Sequence, residues 1–480
     1  MQIFLTELWH TLWLTTARKK KMLAVFAAVV VSAIIGYRFA DNPFISINPV
    51  LLWFFCIFLC AAALYPAEKT PLFHLRLNRT WAGLFALLVA AFLLRVFKLT
   101  HFPSGFIPDE AGSMNFALQY IFNPNTFWII MNPLRTGLDS QPVLYSYILR
   151  LSVQLFGFTI PGARMSSAII GALSIGAVFL MVNEMADRKT AWLTAILMTA
   201  YHYHIHWSRV SLSNIWVTLL LPLTVGFFLR GWRKGQSGGA LLAGFCLGAT
   251  AYFYTGGYVL VFLVILLLWQ TWKKTSDHVR LTIYAGRMLA FALVIAIPLI
   301  VFSAVKPEHF FDRLNTIYGW KSAAVTATLG NTASYSEYLI HQVVHSFGAY
   351  NFFTDVTGFY APKIPFLIGV SSLLFPIGIG LAFYRKQYFP ILWVFLVTML
   401  GGVLIVGTPA SSHFIASIPA VCWLVAIPIH WASETKYSRW ATIALVVIII
   451  TDLVFYFGVY SAGKYGDFTV PFPSVEPYIH

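Results

Sequence analysis

Along the chain, apolar residues gather in blocks of roughly 16–23 positions separated by short polar stretches, a length that suits helices crossing a hydrocarbon layer about 30 Å thick. The blocks fall at 22–38, 49–65, 81–97, 160–182, 190–207, 212–230, 239–255, 257–272, 287–305, 365–384, 388–408, 414–431 and 441–460. This pattern predicts an all-α polytopic membrane protein with about thirteen transmembrane helices. A further apolar stretch, 142–157, is shorter and carries Arg150 and Gln154.

Composition agrees with that picture. With 59% hydrophobic and 10% charged residues, the chain has too few polar groups to cover a soluble surface. Disorder and a coiled coil are excluded for the same reason. The formal net charge of +15 would suit a nucleic acid, but the basic residues are scattered and form no stripe, so no nucleic-acid partner is expected. Cys56, Cys60, Cys246 and Cys422 lie inside apolar blocks without disulfide or metal spacing and read as small buried hydrophobes.

The basic residues instead set orientation. Arg18, Lys19, Lys20 and Lys21 place the N-terminus in the cytoplasm, with no small-residue cleavage site behind them. The later clusters are Lys69/Arg76/Arg79, Arg188/Lys189, Arg230/Arg233/Lys234, Lys273/Lys274/Arg280/Arg287, Arg385/Lys386 and Lys436/Arg439. All fall on the cytoplasmic side only if 142–157 does not cross. That stretch is therefore expected to lie along the outer interface. The expected location is the cytoplasmic (inner) membrane, with the working face outside.

Two segments, 98–159 and 306–363, are too long to be connectors and are expected to form a cap on the outer face. The first contains Pro103-Ser104-Gly105-Phe106-Ile107-Pro108-Asp109-Glu110-Ala111-Gly112. Adjacent carboxylates follow a Pro/Gly turn and open a helical pattern. Asp109 reads either as a plain helix cap with Glu110 solvated beside it, or as a general base held over an apolar floor.

These residues resemble the first outer loop of the C-type (GT-C) membrane glycosyltransferases, in particular the branch with bacterial protein O-mannosyltransferases and the lipid A aminoarabinose transferase. The resemblance continues through Gln141-Pro142-Val143-Leu144-Tyr145, Leu155-Phe156-Gly157, Ala163-Arg164-Met165-Ser166-Ser167-Ala168, His204-Ile205-His206-Trp207-Ser208-Arg209 and Ser412-His413-Phe414. It covers about 81–460. It implies a GT-C fold whose first outer loop forms interfacial helices. The organisation expected is a two-helix N-terminal addition (1–80), a catalytic module (81–305), an outer loop (306–363) and C-terminal helices (364–480).

The resemblance also implies a reaction. A sugar passes from a polyprenyl-phosphate donor to a lipid, glycan or protein acceptor, with inversion at the anomeric carbon. The leaving phosphate needs no general acid, so the site needs a base for the acceptor hydroxyl and fixed positive charge for the phosphate. Asp109 is the expected base, with Glu110 as an orienting or secondary carboxylate. Arg209, Arg164, Arg95, His204, His206 and His413 are candidates for the donor phosphate, although Arg95 and Arg164 could equally snorkel to headgroups. Asp139, Tyr254 and Tyr360 are candidates for substrate positioning, against a turn-forming Asp and an interfacial aromatic belt. No cofactor beyond the donor lipid and no metal site is expected. Three positions depart from the family pattern: Gln141 stands where relatives carry Lys, His413 where they carry Arg, and Gly257 or Tyr258 where an Arg follows the Tyr252-Phe253-Tyr254 segment. Asp452, deep in the last apolar block, is a functional candidate by location alone. The rival reading is a transporter or lipid flippase, which would place its charges near the bilayer midplane on broken helices.

Overall fold

A computed structural model describes residues 16–41, 47–65, 79–103, 105–122, 144–308, 334–360, 363–460 and 472–473. Among these residues there is no β-strand. The helices are α1 (Thr16–Asp41), α2 (Ile47–Leu64), α3 (Arg79–Val96), α4 (Pro108–Phe122), α5 (Leu144–Phe156), α6 (Ile160–Met185), α7 (Arg188–Ala200), α8 (His202–Trp207), α9 (Trp216–Lys234), α10 (Ser237–Thr250), α11 (Val259–Lys274), α12 (His278–Val305), α13 (Tyr335–Gly348), α14 (Gly369–Tyr384), α15 (Tyr388–Thr398), α16 (Ile418–Ser433) and α17 (Ser438–Val454).

Every apolar block contains a helix, and among the described residues eight helices are long and apolar enough to cross a membrane, with four shorter apolar ones beside them. The chain is a multi-pass membrane protein. Large apolar side chains such as Phe58, Phe85, Leu373, Phe383 and Trp440 stay exposed, which is what lipid-facing helix surfaces require.

Two blocks differ from the pattern. The 190–207 block is two helices, because Tyr201 turns extended (φ −58°, ψ 113°) between α7 and α8. The 388–408 block ends early in a π-helical turn, Met399–Val403. At that turn a Cβ on Gly401 would lie 2.7 Å from the His413 carbonyl oxygen, so only glycine lets the two segments meet. The 142–157 stretch forms α5, whose 13 residues span only about 20 Å, too short to cross. It buries Tyr145, Leu149, Ser152 and Val153, and Ser152 ties it to the start of α6. Ser152 Oγ donates to the Gly162 carbonyl at 2.6 Å and accepts from the Ser166 N–H at 3.1 Å. The start of α6 is capped by Thr159, with Pro161 in the first turn.

The chain divides into two compact units. The first comprises Met1–Arg76, Pro124–Leu144 and Leu223–Phe311. Here α1 and α2 pack on α12, and α12 packs on α10. Small residues let the backbones close up: a Cβ on Gly244 or Gly248 would lie 2.5 or 2.7 Å from a carbonyl oxygen of α12. Trp53, Cys56, Cys60, Tyr252 and Phe291 share its core. Trp53 Nε1 donates to the Val294 carbonyl at 3.1 Å and Tyr252 OH to that of Ile295 at 2.8 Å, so both polar tips are satisfied.

The second unit comprises Leu77–Asn123, Tyr145–Pro222 and Asp312–His480. Its centre is α16, packed against α7, α14, α15 and α17, while α6 packs on α3 and α7. At Gly378 of α14 a Cβ would stand 2.0 Å from the Leu424 carbonyl oxygen of α16. Gly378→Ala should therefore cost about 1–3 kcal/mol by forcing the two helices apart, read as a lower melting temperature of the detergent-solubilised chain. An unchanged melt would show that α14 and α16 separate freely.

Candidate active site

The site lies wholly in the second unit, on the turn between α3 and α4. Helix α4 begins at Pro108, so Asp109 occupies its first turn and is not the cap itself. Glu110, three residues beyond Ile107, folds back so that Oε2 accepts the Ile107 N–H at 3.2 Å, one half of a capping box.

The two neighbouring carboxylates have opposite environments. Glu110 is fully buried with Arg164 of α6, both side chains 0% exposed. Arg164 donates Nε–H to Oε1 at 2.9 Å and an Nη2–H to Oε2 at 2.8 Å, a bidentate pair. Ser211 adds its backbone N–H at 2.7 Å and its hydroxyl at 2.9 Å to Oε1. Glu110 therefore has both oxygens occupied by protein donors. Asp109 instead is exposed and lines a cleft of ≈ 140 Å³ with Ile107, Pro108, Thr357, Gly358 and Phe359.

The arginines hold backbone. Besides Glu110, Arg164 donates to the carbonyls of Pro103 (2.9 Å) and Gly105 (2.6 Å). Arg209 directs every one of its five N–H groups at carbonyl oxygens, those of Leu94, Arg95, Phe97, Lys98 and Phe102. It thereby closes the C-terminal end of α3, where carbonyls lack helical partners, and its guanidinium lies over the Tyr456 and Phe457 rings. Together the two arginines fasten Phe102, Pro103 and Gly105, which lead into Asp109. Arg95 is also buried. It donates to the Ala91 carbonyl at 2.8 Å and to His204 Nδ1 at 2.6 Å. Because Arg95 can only donate, His204 must accept at Nδ1 and carry its proton on Nε2. That nitrogen faces Ser174 Oγ at 3.1 Å, whose own proton goes to the Gly171 carbonyl.

The opposite wall of the cleft comes from the second long loop. His206 Nε2–H donates to the Phe359 carbonyl at 2.9 Å, and Tyr360 OH bonds His202 Nδ1. Burial, with Tyr460 beside it, pushes the Tyr360 phenol well above its usual range, so it stays protonated. Asp355 gathers the same loop by accepting from Thr357 Oγ1 (2.8 Å), the Tyr360 N–H (3.1 Å) and the Ser411 N–H (2.8 Å).

The residues expected from sequence thus sort by position. Asp109 faces the cleft. Glu110, Arg95, Arg164, Arg209, His204 and His206 are buried and bonded within the protein, because each satisfies a helix end, a turn carbonyl or a neighbouring charge. Of the two readings of this pair, the plain cap with a solvated Glu110 does not hold, since Glu110 is buried. Tyr360 backs the cleft. His413 is half-buried in the helical turn before α16. Tyr254 is buried in the first unit. Asp139 lies outside the described residues. Sequence reasoning missed Ser211, Thr357 and Phe359; Ser211, two positions beyond Arg209, carries no signal that separates it from an ordinary loop serine. Among the described residues no cluster of three or more His, Cys, Asp or Glu could hold a metal ion.

Comparison with known proteins identifies the architecture. A family model described as dolichyl-phosphate-mannose-protein mannosyltransferase matches residues 140–302, about a third of the chain. No curated protein matches the sequence significantly. Among solved structures, the apo oligosaccharyltransferase of Archaeoglobus fulgidus superposes with TM-score 0.51 and 13% identity, over 82% of this chain and 57% of that one. The same archaeal enzyme, AglB, in complex with an inhibitory peptide and a dolichol-phosphate gives TM-score 0.50 at 14% identity, over 82% of this chain and 57% of that one. ArnT of Cupriavidus metallidurans in the apo state gives TM-score 0.50 at 15% identity, over 80% of this chain and 75% of that one. The chain thus spans little more than half the length of the archaeal enzyme. Its fold is the GT-C fold of integral membrane glycosyltransferases.

The Glu110–Arg164 pair yields a stability prediction. Glu110→Gln leaves Arg164 buried without a counter-charge and should cost about 3–5 kcal/mol, measured as lost folded protein on detergent extraction and a lowered melting temperature. Replacing both, Glu110→Leu with Arg164→Met, should recover part of that loss. A single variant as stable as the parent would mean that the pair is not what holds the turn.

Proposed function

We propose that the chain is a membrane glycosyltransferase that moves a sugar from a polyprenyl-phosphate donor to a hydroxyl of a lipid, glycan or protein acceptor on the outer face of the cytoplasmic membrane. One observation carries this reading. Of two adjacent carboxylates, Asp109 is exposed and lines the cleft, and Glu110 is buried with Arg164 and Ser211 beneath it. The GT-C fold supports it, as does the dolichol-phosphate held by the archaeal structural relative.

In the reaction the acceptor oxygen attacks the anomeric carbon as Asp109 takes its proton. A carbon–oxygen bond forms to the acceptor, and the bond to the donor phosphate breaks. The electron pair leaves with the phosphate, which is already an anion, so no second carboxyl acid is required. Backside attack inverts the anomeric centre. Arg164 and Arg209 serve by holding Phe102, Pro103 and Gly105, a positioning role. His413, at the turn into α16, is the candidate for contact with the phosphate.

Asp109→Asn should abolish sugar transfer, a loss of at least about a hundredfold, with membrane insertion and melting temperature unchanged. The measurement is mass spectrometry of lipids, glycans and proteins from cells carrying either form. A product level equal to the parent's would remove Asp109 as the base. His413→Ala should slow transfer by roughly tenfold to a thousandfold if the imidazole faces the departing phosphate; an unchanged rate under single-turnover conditions would exclude that role.

A further inference from the structure

Asp452 of α17 is a buried acid, 2% exposed, that no step above uses. Helix α8 begins at His202 directly after Tyr201, which supplies no side-chain cap. The cap comes instead from another helix: Asp452 Oδ1 accepts the His202 backbone N–H at 3.2 Å. The same oxygen lies 3.5 Å from His202 Nε2. Across the ring, His202 Nδ1 bonds Tyr360 OH, and the two rings are stacked with centroids 5.8 Å apart. Tyr360 adjoins Phe359, a wall of the cleft that Asp109 lines. One turn further along α8, His206 holds the Phe359 carbonyl.

We infer that Asp452 is a positioning residue for the Asp109 cleft, acting through His202 and Tyr360 to hold the Thr357–Phe359 wall in place. The physical reason is that α8 is only 6 residues long, and a helix that short has no cooperative stability of its own. Its orientation, and with it the aim of His202 and His206, depends on external satisfaction of its first N–H group. Asp452 provides that from a helix with its own packing against α16. The wall of the cleft is thus set from inside the bundle. This inference rests on the reading of the cleft as the site of sugar transfer, but the geometry can be tested without donor or acceptor.

The test uses the full-length chain in detergent with cysteines in place of Asp109 and Phe359, whose backbone carbonyl still accepts from His206, joined by a short methanethiosulfonate cross-linker, so that cross-linking rate reports how the wall faces Asp109. In this background Asp452→Leu and Tyr360→Phe should each slow cross-linking roughly fivefold or more, the consequence of losing one buried hydrogen bond. Asp452→Asn keeps an oxygen acceptor and should restore the parent rate to within about twofold. Melting temperatures measured in parallel separate displacement of the wall from general loosening. Should Asp452→Leu fail to fold, Tyr360→Phe, which removes one hydroxyl, reads the same link. Unchanged cross-linking in the variants that fold overturns the inference, and so does equal loss in Asp452→Asn and Asp452→Leu. Since no substrate enters the measurement, its result is independent of whether Asp109→Asn abolishes transfer.

Discussion

A buried ion pair between Glu110 and Arg164 organises the second unit's loop end. Burying two charges costs several kcal/mol each, repaid only when geometry is good and the remaining lone pairs are filled. Both conditions hold: the contact is bidentate, Ser211 fills Oε1, the Ile107 N–H fills Oε2, and Arg164 spends further donors on Pro103 and Gly105. The pair ties α4 to α6 and to the segment after α8. Such a knot tolerates few alternatives, because moving any member strands a buried charge.

Asp109 gains its position from this knot. The carboxylate itself is exposed, yet the chain around it is fastened on both sides, by Glu110 one residue later and by Arg164 and Arg209 on Phe102, Pro103 and Gly105. For the proposed reaction this matters, because a carboxylate held on a rigid turn would not have to be ordered at the moment of reaction. The opposing wall is fastened in a similar way, by Asp355 within its own loop and by the histidines of α8 behind it. The cleft is therefore a meeting of two loops, each anchored by buried polar contacts to helices that are themselves set in the bundle.

This arrangement changes the meaning of the cations. From their positions at helix ends, Arg95, Arg164 and Arg209 suit an anionic substrate. In the fold they are buried, and their hydrogen bonds go to carbonyls, to His204 and to Glu110. Arginine fits that task well, because its five donors form a rigid fork that can serve several backbone acceptors together. Helix ends that turn into long loops leave many carbonyls without partners, and Arg209 collects those at the end of α3.

The sequence by itself determined an all-helical membrane architecture, because apolar block length is a local property dictated by bilayer thickness, but not the exact number of spans. It also determined that α5 is a short amphipathic helix, since its charge placement and length both oppose a crossing, and it marked the Asp109-Glu110 pair by its place after a Pro/Gly turn. It could not determine which of two adjacent carboxylates would face the cleft. That depends on Arg164, 54 residues away, and on Ser211, 101 residues away, and no local pattern encodes such a meeting. The break at Tyr201 was likewise hidden, since an apolar block reads the same whether or not Asp452, 250 residues away, caps a new helix at His202. Only the tertiary structure decided these points, because burial and pairing, which set each polar residue's role, arise when distant segments close around it.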